Sequence, residues 1–303
     1  MKKMKKRKIF NTIVLSLSIL IISGCGSKMD NSTSNIIGLQ VHKSELPSIE
    51  TKKIEGLEDA EGYGHGIYTR QGECLHDMIN YVKSTDDLSV YCHISNDLGD
   101  TYTFTVVALD NYHQIPFMVN GEECLNYTIE IPNSSETDIP IDLGEFVSGR
   151  HDLVFLTIIN AGMKVSESDS ITVTDGYMDG SMRSTFIVDD DTELNNPITY
   201  QTGTSDTIYS GISIEKKDDE SYELSVSGVY DNDKYISVIV FDNYEEIENY
   251  TMELGAKKKA TIPFDYSPDD SVNHELTAVV LYQTDGNDPE EPMEDHFSNR
   301  VQF

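Results

Sequence analysis

The stretch Phe104-Thr105-Val106-Val107-Ala108-Leu109-Asp110-Asn111-Tyr112 decides the fold, because its pattern recurs as Ile236-Ser237-Val238-Ile239-Val240-Phe241-Asp242-Asn243-Tyr244. β-Branched and aromatic residues favour a strand. Asp and Asn that follow a strand favour a turn, because their side chains hydrogen-bond to nearby backbone. Each stretch therefore predicts a core strand that ends in a turn.

Three further motifs occur twice, in the same order along the chain. Leu88-Ser89-Val90 recurs as Leu224-Ser225-Val226, His151-Asp152-Leu153 as His274-Glu275-Leu276, and Ser181-x-Arg183-x-x-Phe186 as Ser298-x-Arg300-x-x-Phe303. Four matches in one order indicate an internal duplication. The boundaries that follow are 62–188 for the first repeat, 189–196 for an acidic linker and 197–303 for the second repeat.

The other apolar segments also have the pattern of strands. Leu88–Ile94 alternates, whereas Leu153–Ile159 is continuously apolar and predicts a central strand buried on both faces. Asn120-Gly121 predicts a tight hairpin turn between strands at 115–119 and 125–131. No window of about 12 residues keeps the spacing of an amphipathic helix.

About seven short strands per repeat resemble an immunoglobulin-like β-sandwich. The repeats lack the paired Cys and the Trp of antibody domains, since Cys92 corresponds to Gly228 and the chain has no Trp. We therefore expect an all-β protein with two tandem immunoglobulin-like β-sandwich domains.

The N-terminus resembles the leader of a bacterial lipoprotein. A basic stretch at 2–8 precedes the apolar run Ile9–Ile22 and the tetrapeptide Ile22-Ser23-Gly24-Cys25, which resembles a lipobox. The resemblance implies that residues 1–24 are a cleaved signal peptide and that Cys25 carries the lipid. Residues 25–61 would then be a flexible tether on the extracytoplasmic face of the cell membrane. The alternative, an uncleaved helical anchor, is disfavoured because the run is shorter than about 20 residues.

The charge of the chain argues against two classes of partner. The formal charge is −31, and the leader holds six of the 22 basic residues and no acidic one. Its removal leaves 16 basic and 53 acidic residues, a formal charge of −37. Nucleic acids and anionic lipid headgroups are bound through basic residues. The composition therefore predicts no nucleic-acid partner and no direct binding to anionic lipid.

Cys74, Cys92 and Cys124 remain after Cys25, an odd number that cannot form a complete disulfide framework. Cys92 shares its strand face with Val90 and should point inward, whereas Cys124 should be partly exposed. A Cys74–Cys92 bridge is one alternative, and small buried apolar residues are the other. The spacing of the cysteines does not fit a structural zinc site.

The repeated polar residues are the first candidates for a site: Asp110, Tyr112, Asp242, Tyr244, Arg183 and Arg300. They have two interpretations. The Asp and Tyr residues either form structural turns that cover the end of the core or present two equivalent ligand loops. The two Arg residues should pair with carboxylates, as buried guanidinium groups must.

Carboxylates in the linker make calcium the one cofactor that the sequence suggests. Asp189, Asp190 and Asp191 are the best candidates, since hard cations bind oxygen ligands in loops. No catalytic motif has its full context: Ser213-x-x-Lys216 lies in a strand-like segment instead of at a helix start. The sequence predicts no other cofactor and no enzyme.

We therefore expect a non-catalytic lipoprotein whose two modules bind an envelope protein or polymer. One alternative is a peptide or small-ligand receptor, such as an immunity-type lipoprotein that captures cationic peptides. The second alternative, a cell-wall-active enzyme, has the least support. Duplicated modules also allow the second module alone to bind while the first acts as a spacer.

Overall fold

The structure, a computed structural model, describes residues 49–54, 62–76, 78–86, 88–159, 179–189, 205–218, 220–268, 273–283 and 293–302. Every regular element in these ranges is a β-strand, and none of the ranges contains a helix that could cross a membrane. The all-β prediction is confirmed. The predicted signal peptide and Cys25 lie outside the described residues.

The first body is a β-sandwich of two sheets. Outer sheet 1 has the order β2-β4-β10-β7-β8, with β1 on β10, and inner sheet 1 has the order β3-β12-β11-β5, with β6 and β9 both on β5. The strands are β1 Lys52–Lys53, β2 Gly62–Thr69, β3 Ile79–Val82, β4 Ser89–Asp97, β5 Tyr102–Asp110, β6 His113–Gln114, β7 Phe117–Val119, β8 Glu122–Cys124, β9 Asn126–Ile131, β10 Ser135–Asp142, β11 Gly149–Ile159 and β12 Gly180–Val188.

The second body is a smaller sandwich. Outer sheet 2 has the order β13-β18-β15-β14, and inner sheet 2 has the order β17-β16-β19, with β20 and β21 both on β19. The strands are β13 Ser205–Asp206, β14 Gly211–Lys216, β15 Ser221–Ser227, β16 Lys234–Asp242, β17 Glu245–Leu254, β18 Lys258–Asp265, β19 Glu275–Gln283, β20 Glu294–Phe297 and β21 Val301–Gln302. This division of strands between two sheets is that of an immunoglobulin-like sandwich.

A third hydrophobic core lies between the two inner sheets. Along β11, Leu153 and Phe155 belong to the core of the first body, whereas Val154, Leu156 and Ile158 pack against the second body. All residues from Leu153 to Ile159 are buried, so the predicted strand with two buried faces is confirmed. The interbody core consists of Val107, Leu109, Tyr112, Val154, Leu156, Ile158, Ile239, Phe241, Tyr244, Val279 and Leu281.

The predicted hairpin turn is correct, but its second strand is not the predicted one. Asn120 and Gly121 have φ values of 52° and 87°, and they join β7 to β8. The segment 125–131 was expected there, yet β9 pairs with β5 of the inner sheet. Pairing with β5 buries Tyr127 and Ile131 in the core of the first body.

Two details of the sheet edges depart from a simple tandem of domains. β1 lies within the segment 25–61 assigned to the tether, and it pairs with β10 while Ile49 packs on the core of the first body.

At the edge of outer sheet 2, the Asn299 side chain accepts from the Ile214 amide at 2.9 Å and donates to its carbonyl at 3.1 Å. A side chain thus occupies the position of a neighbouring strand.

We predict that Phe241→Ala lowers the free energy of unfolding by about 3–5 kcal/mol, because it leaves a cavity in the interbody core. Urea unfolding followed by tyrosine fluorescence measures this change. Tyr209→Ala is the matched control, since Tyr209 is 69% exposed and its loss should cost less than about 0.5 kcal/mol. Equal effects of the two changes would contradict an interbody core that stabilises the protein.

Candidate functional site

The repeated turn triplets have the same geometry in both bodies. Asn111 and Tyr112 have φ values of 48° and 69°, and Asn243 and Tyr244 have 48° and 66°. The Asn111 side chain accepts from the Asp152 amide, and the Asn243 side chain accepts from the Glu275 amide, each at 3.1 Å. Asn tolerates this left-handed conformation better than most residues. Each triplet is therefore a turn whose Asn side chain is anchored to the neighbouring strand of the inner sheet.

Tyr112 and Tyr244 lie in the interbody core and are 5% and 2% exposed. Neither tyrosine is therefore exposed to a ligand, which argues against the hypothesis that the triplets present ligand loops. Asp110 pairs with His151 at 2.8 Å, and Asp242 pairs with His274 at 2.7 Å. Each pair joins the end of one strand to the start of its neighbour.

The second residues after the two triplets, Gln114 and Glu246, form a reciprocal contact between the bodies. The Gln114 amide donates to Glu246 Oε2 and the Glu246 amide donates to Gln114 Oε1, both at 2.6 Å. The Gln114 side chain also donates to the Tyr244 carbonyl, at 2.8 Å. The Glu246 side chain has no donor, and Asn249 instead donates to the Tyr112 carbonyl, at 2.7 Å. The same positions of the two repeats thus recognise each other across the interface.

Arg300 links the second body to the first through a buried ion pair. Its guanidinium donates to the Ile159 carbonyl at 2.7 Å and to Asp179 Oδ2 at 3.1 Å, and the Arg300 and Asp179 side chains are 4% and 1% exposed. Burial raises the pKa of Asp179 to about 6, although Arg300 opposes this shift. Arg300 Nε also lies 3.9 Å from Glu275 Oε1.

Arg183, the counterpart of Arg300 in the first repeat, is also buried, and it hydrogen-bonds Tyr112. The neighbouring carboxylate, Asp152, accepts from Arg150 at 3.0 Å and from Thr185 at 2.6 Å. Glu275 is its counterpart, and it accepts from Tyr244 and Gln302. Both repeats therefore surround the interbody core with buried polar groups that hydrogen-bond one another.

Asp189 is the one residue of the predicted calcium site that the structure describes. Its carboxylate accepts from the Ser84 amide at 3.1 Å and from the Ser148 hydroxyl at 2.8 Å, and these bonds lower its pKa. Asp190 and Asp191 lie outside the described residues. In the ranges given above, no group of three His, Cys, Asp or Glu residues is placed to hold a metal. Calcium binding at 189–191 stays a prediction.

The three cysteines are free, so the alternative of a Cys74–Cys92 bridge is wrong. Cys92 is buried as predicted, and burial raises the pKa of its thiol to about 12. Cys74 is exposed and Cys124 is half-buried. Ser213 and Lys216 lie on β14, where a separation of three residues puts their side chains on opposite faces.

A concave surface lies on the outer face of outer sheet 1, and we call it the tyrosine groove. Ile67, Cys92 and Ile139 point into the core, so the alternate residues on the same strands point outward. Tyr68 lies opposite Tyr91, which lies opposite Pro140. Two adjoining cavities of about 420 and 330 Å³ are lined by Tyr68, Thr69, Arg70, Gln71, Gly72, Val90, Tyr91, His93, Met118, Asn120, Gly121, Asp138, Pro140, Ile141 and Asp142.

Local contacts fix the side chains of the tyrosine groove. Gly66 lies beneath the Tyr68 ring, where a Cβ atom would come within 2.5 Å of that ring. His93 packs edge-on against Tyr68 with ring centroids 6.0 Å apart, and its Nδ1 lies 2.8 Å from Asp138 Oδ1. Burial, with Cys74 and Asp138 nearby, raises the pKa of Tyr68. The groove thus combines fixed aromatic faces with accessible polar groups.

The second body has no such row at the matching position. Val90 pairs with Ile141 and Val226 pairs with Ala260, so Tyr91 and Pro140 correspond to Ser227 and Lys259. Gly211 takes the place of Tyr68 opposite Ser227. The two bodies share their inner faces but differ on their outer faces. Sequence reasoning missed the groove because its residues come from three strands whose register the repeats do not reveal.

The fold defines an all-β protein of two β-sandwich bodies, and comparisons with known proteins add no closer relationship. No family model and no curated protein matches the chain. It is similar to the E. coli chaperone DraB at 10% identity over 80% of this chain and 99% of that chain, with a TM-score of 0.26. It is also similar to a red sea bream transglutaminase, at 9% identity over 79% of this chain, with a TM-score of 0.25. The chain spans about a third (32%) of that enzyme.

A third similar structure belongs to the chaperone–tip adhesin complex of CFA/I fimbriae. The match has 9% identity over 78% of this chain and 100% of that chain, with a TM-score of 0.23. Likenesses at this level give no information on activity or partners.

We predict that Asp110→Asn destabilises the protein more at about pH 5.5 than at about pH 9. Burial lowers the pKa of His151, but the hydrogen bond and charge of Asp110 outweigh it and the net shift is upward. A raised pKa stabilises the fold fully below the unfolded value of about 6.5, and this contribution is lost as the pH rises through the folded value. Melting temperatures across this range test it, with the exposed Asp265→Asn as control. A pH-independent effect of Asp110→Asn would exclude a charged His151.

Arg300→Met should lower the free energy of unfolding by about 3–5 kcal/mol at neutral pH, because it leaves buried carboxylates without their cation. Asp179 has a raised pKa, so its ionised form destabilises the fold above about pH 6, and this cost disappears as the pH falls. The loss in the variant should therefore shrink on acidification. Urea unfolding at several pH values measures this, with the surface change Lys257→Met as control. A loss below about 1 kcal/mol would contradict the interbody ion pair.

Proposed function

We propose that the protein is a non-catalytic binding protein, held by a lipid on Cys25 at the extracytoplasmic face of the cell membrane. In this proposal an envelope partner docks on the outer face of the first body. The observation that carries the proposal is the difference between the two outer faces: the first has the tyrosine groove, and the second has small and charged residues in its place. The second body then braces the first through the interbody core.

Two features support a binding role on the outer face. The inner sheets bury their faces against each other, so they are unavailable to a partner. Tyrosine side chains offer a large contact area at little cost in side-chain entropy, as in many protein-binding surfaces. The lipobox-like tetrapeptide and the anionic composition support the location and the absence of a nucleic-acid partner.

The membrane part of the proposal is tested by labelling cells with radioactive palmitate. The wild-type chain should incorporate label and fractionate with membranes, and Cys25→Ala should incorporate none. A wild-type chain that stays unlabelled in the cytosol would overturn the proposed location.

The binding part is tested by mild crosslinking on intact cells. The double change Tyr68→Ala with Tyr91→Ser should abolish crosslinked partners. The control, Tyr81→Ala with Tyr209→Ala, removes two tyrosines that are each 69% exposed outside the groove, and it should retain the partners. Loss of partners in the control alone would place the binding surface elsewhere.

A further inference from the structure

The outer face of β10 has a regular row of side chains. Glu136, Asp138, Pro140 and Asp142 alternate with the core residues Thr137, Ile139 and Ile141. Residues two apart on a strand are separated by about 6.6–6.8 Å, and an extended peptide presents its alternate side chains at the same spacing. The three carboxylates and the proline therefore have the same spacing as the side chains on one face of an extended peptide.

Two carboxylates of this row remain accessible. The side chains of Glu136 and Asp138 are 40% and 48% exposed. Lys52 lies 4.0 Å from Asp138, but it is 66% exposed, and such surface pairs contribute little. A cation from a partner can therefore approach the row.

The neighbouring strands extend the anionic character of the face. By the alternation of their strands, Asp97 on β4 and Glu123 on β8 also face outward, opposite Gly62 and Met118. The basic groups here are Lys52, Arg70 and His93, so carboxylates outnumber basic groups five to three on the described part of this face. Charge complementarity therefore favours a cationic occupant.

The tyrosine groove interrupts the acidic row at one place. Pro140 lies opposite Tyr91, and Tyr91 lies opposite Tyr68, so an apolar strip crosses the sheet between Asp138 and Asp142. Aromatic rings pack on apolar side chains and attract cations to their faces. An apolar residue of an extended chain fits over the strip, with basic residues over the carboxylates to either side.

We propose that the tyrosine groove and the acidic row of β10 bind a basic peptide segment in extended conformation. Its alternate side chains are basic except for one apolar or aromatic residue over Tyr91 and Pro140. This inference rests on the proposed function as a binding protein and names the class of partner. The formal charge of −37 without the leader steers such a segment toward the protein, and salt weakens this attraction.

The second body provides the contrast. The outward residues of β18 are Lys259, Thr261, Pro263 and Asp265, which do not form an acidic row. Opposite them on β15 lie Ser227, Ser225, Glu223 and Ser221 instead of tyrosines. Binding should therefore depend on the first body alone.

The test is fluorescence anisotropy with the purified full-length protein and a labelled peptide, Lys-Thr-Phe-Thr-Lys-Thr-Lys. Asp138→Asn with Asp142→Asn removes two charge pairs without changing side-chain shape, and it should weaken binding about tenfold. Tyr91→Ser, which copies the second body, should weaken it by a similar factor. The control, Glu215→Gln with Asp265→Asn on outer sheet 2, should change it less than about twofold.

Two further ligands distinguish a site for a basic peptide from other kinds of binding site. The peptide Glu-Thr-Phe-Thr-Glu-Thr-Glu should not bind, and raising salt from about 50 to 300 mM should weaken the basic peptide. Equal binding of both peptides would overturn the inference. So would a neutral N-acetylglucosamine oligomer that binds in a Tyr91-dependent, Asp138-independent way, because the groove would then be a glycan site.

A failure of the inferred peptide site can be distinguished from a failure of the proposed function. If the basic peptide does not bind but the Tyr68 and Tyr91 changes still abolish crosslinking on cells, the protein is a binding protein for another class of partner. If the peptide binds in the groove but the chain is found unlipidated in the cytosol, the proposed function fails and the peptide site remains.

Discussion

The packing of the two inner sheets against each other is the constraint on which the rest of this structure depends. β11 buries Leu153 and Phe155 in its own sandwich and Val154 and Leu156 against the second body. A strand with two buried faces has no polar face, which explains the continuous apolar run in the sequence. Fully burying each such side chain contributes about 1.5–3 kcal/mol. The two bodies therefore gain stability from contact that neither has alone.

The polar groups at the border of this core follow from the same constraint. A buried donor or acceptor without a partner costs about 1–3 kcal/mol, so each must be satisfied across the interface or within its own repeat. Gln114 and Glu246 satisfy each other's amides, and Asn249 supplies the donor that Glu246 lacks. Arg300 reaches Asp179 of the first body, whereas Arg183 bonds Tyr112 of its own repeat. Different residues of the two repeats thus hydrogen-bond the buried polar groups at the interface.

Much of the fold could be predicted because its strands repeat and alternate. The all-β class, the buried strand at Leu153–Ile159 and the Asn120-Gly121 turn all follow from local patterns. The partner of β9 could not be predicted, since alternation shows which side chains face a core but not which sheet a strand joins. β1 was missed because backbone pairing at an edge does not require apolar side chains, and Lys52-Lys53 has none.

The candidate site was harder to predict than the fold. Sequence reasoning selected repeated residues, and repetition marks what both bodies need for packing: Tyr112, Tyr244 and Arg300 are buried at or beside the interface. The tyrosine groove is not repeated, and Tyr68, Tyr91 and Pro140 become neighbours only through strand register. The proposed binding site therefore lies at outward positions that differ between the two bodies, which a search for repeated residues does not select.

The contact between Asn299 and Ile214 has a consequence for self-association. An edge strand with free amide and carbonyl groups is a template to which a second molecule can add its own strand. β14 ends outer sheet 2, and the Asn299 side chain takes both backbone groups of Ile214. At Ile214 neither backbone group is therefore free to pair with a strand of a second copy, and the residue that occupies them directly precedes the interbody Arg300.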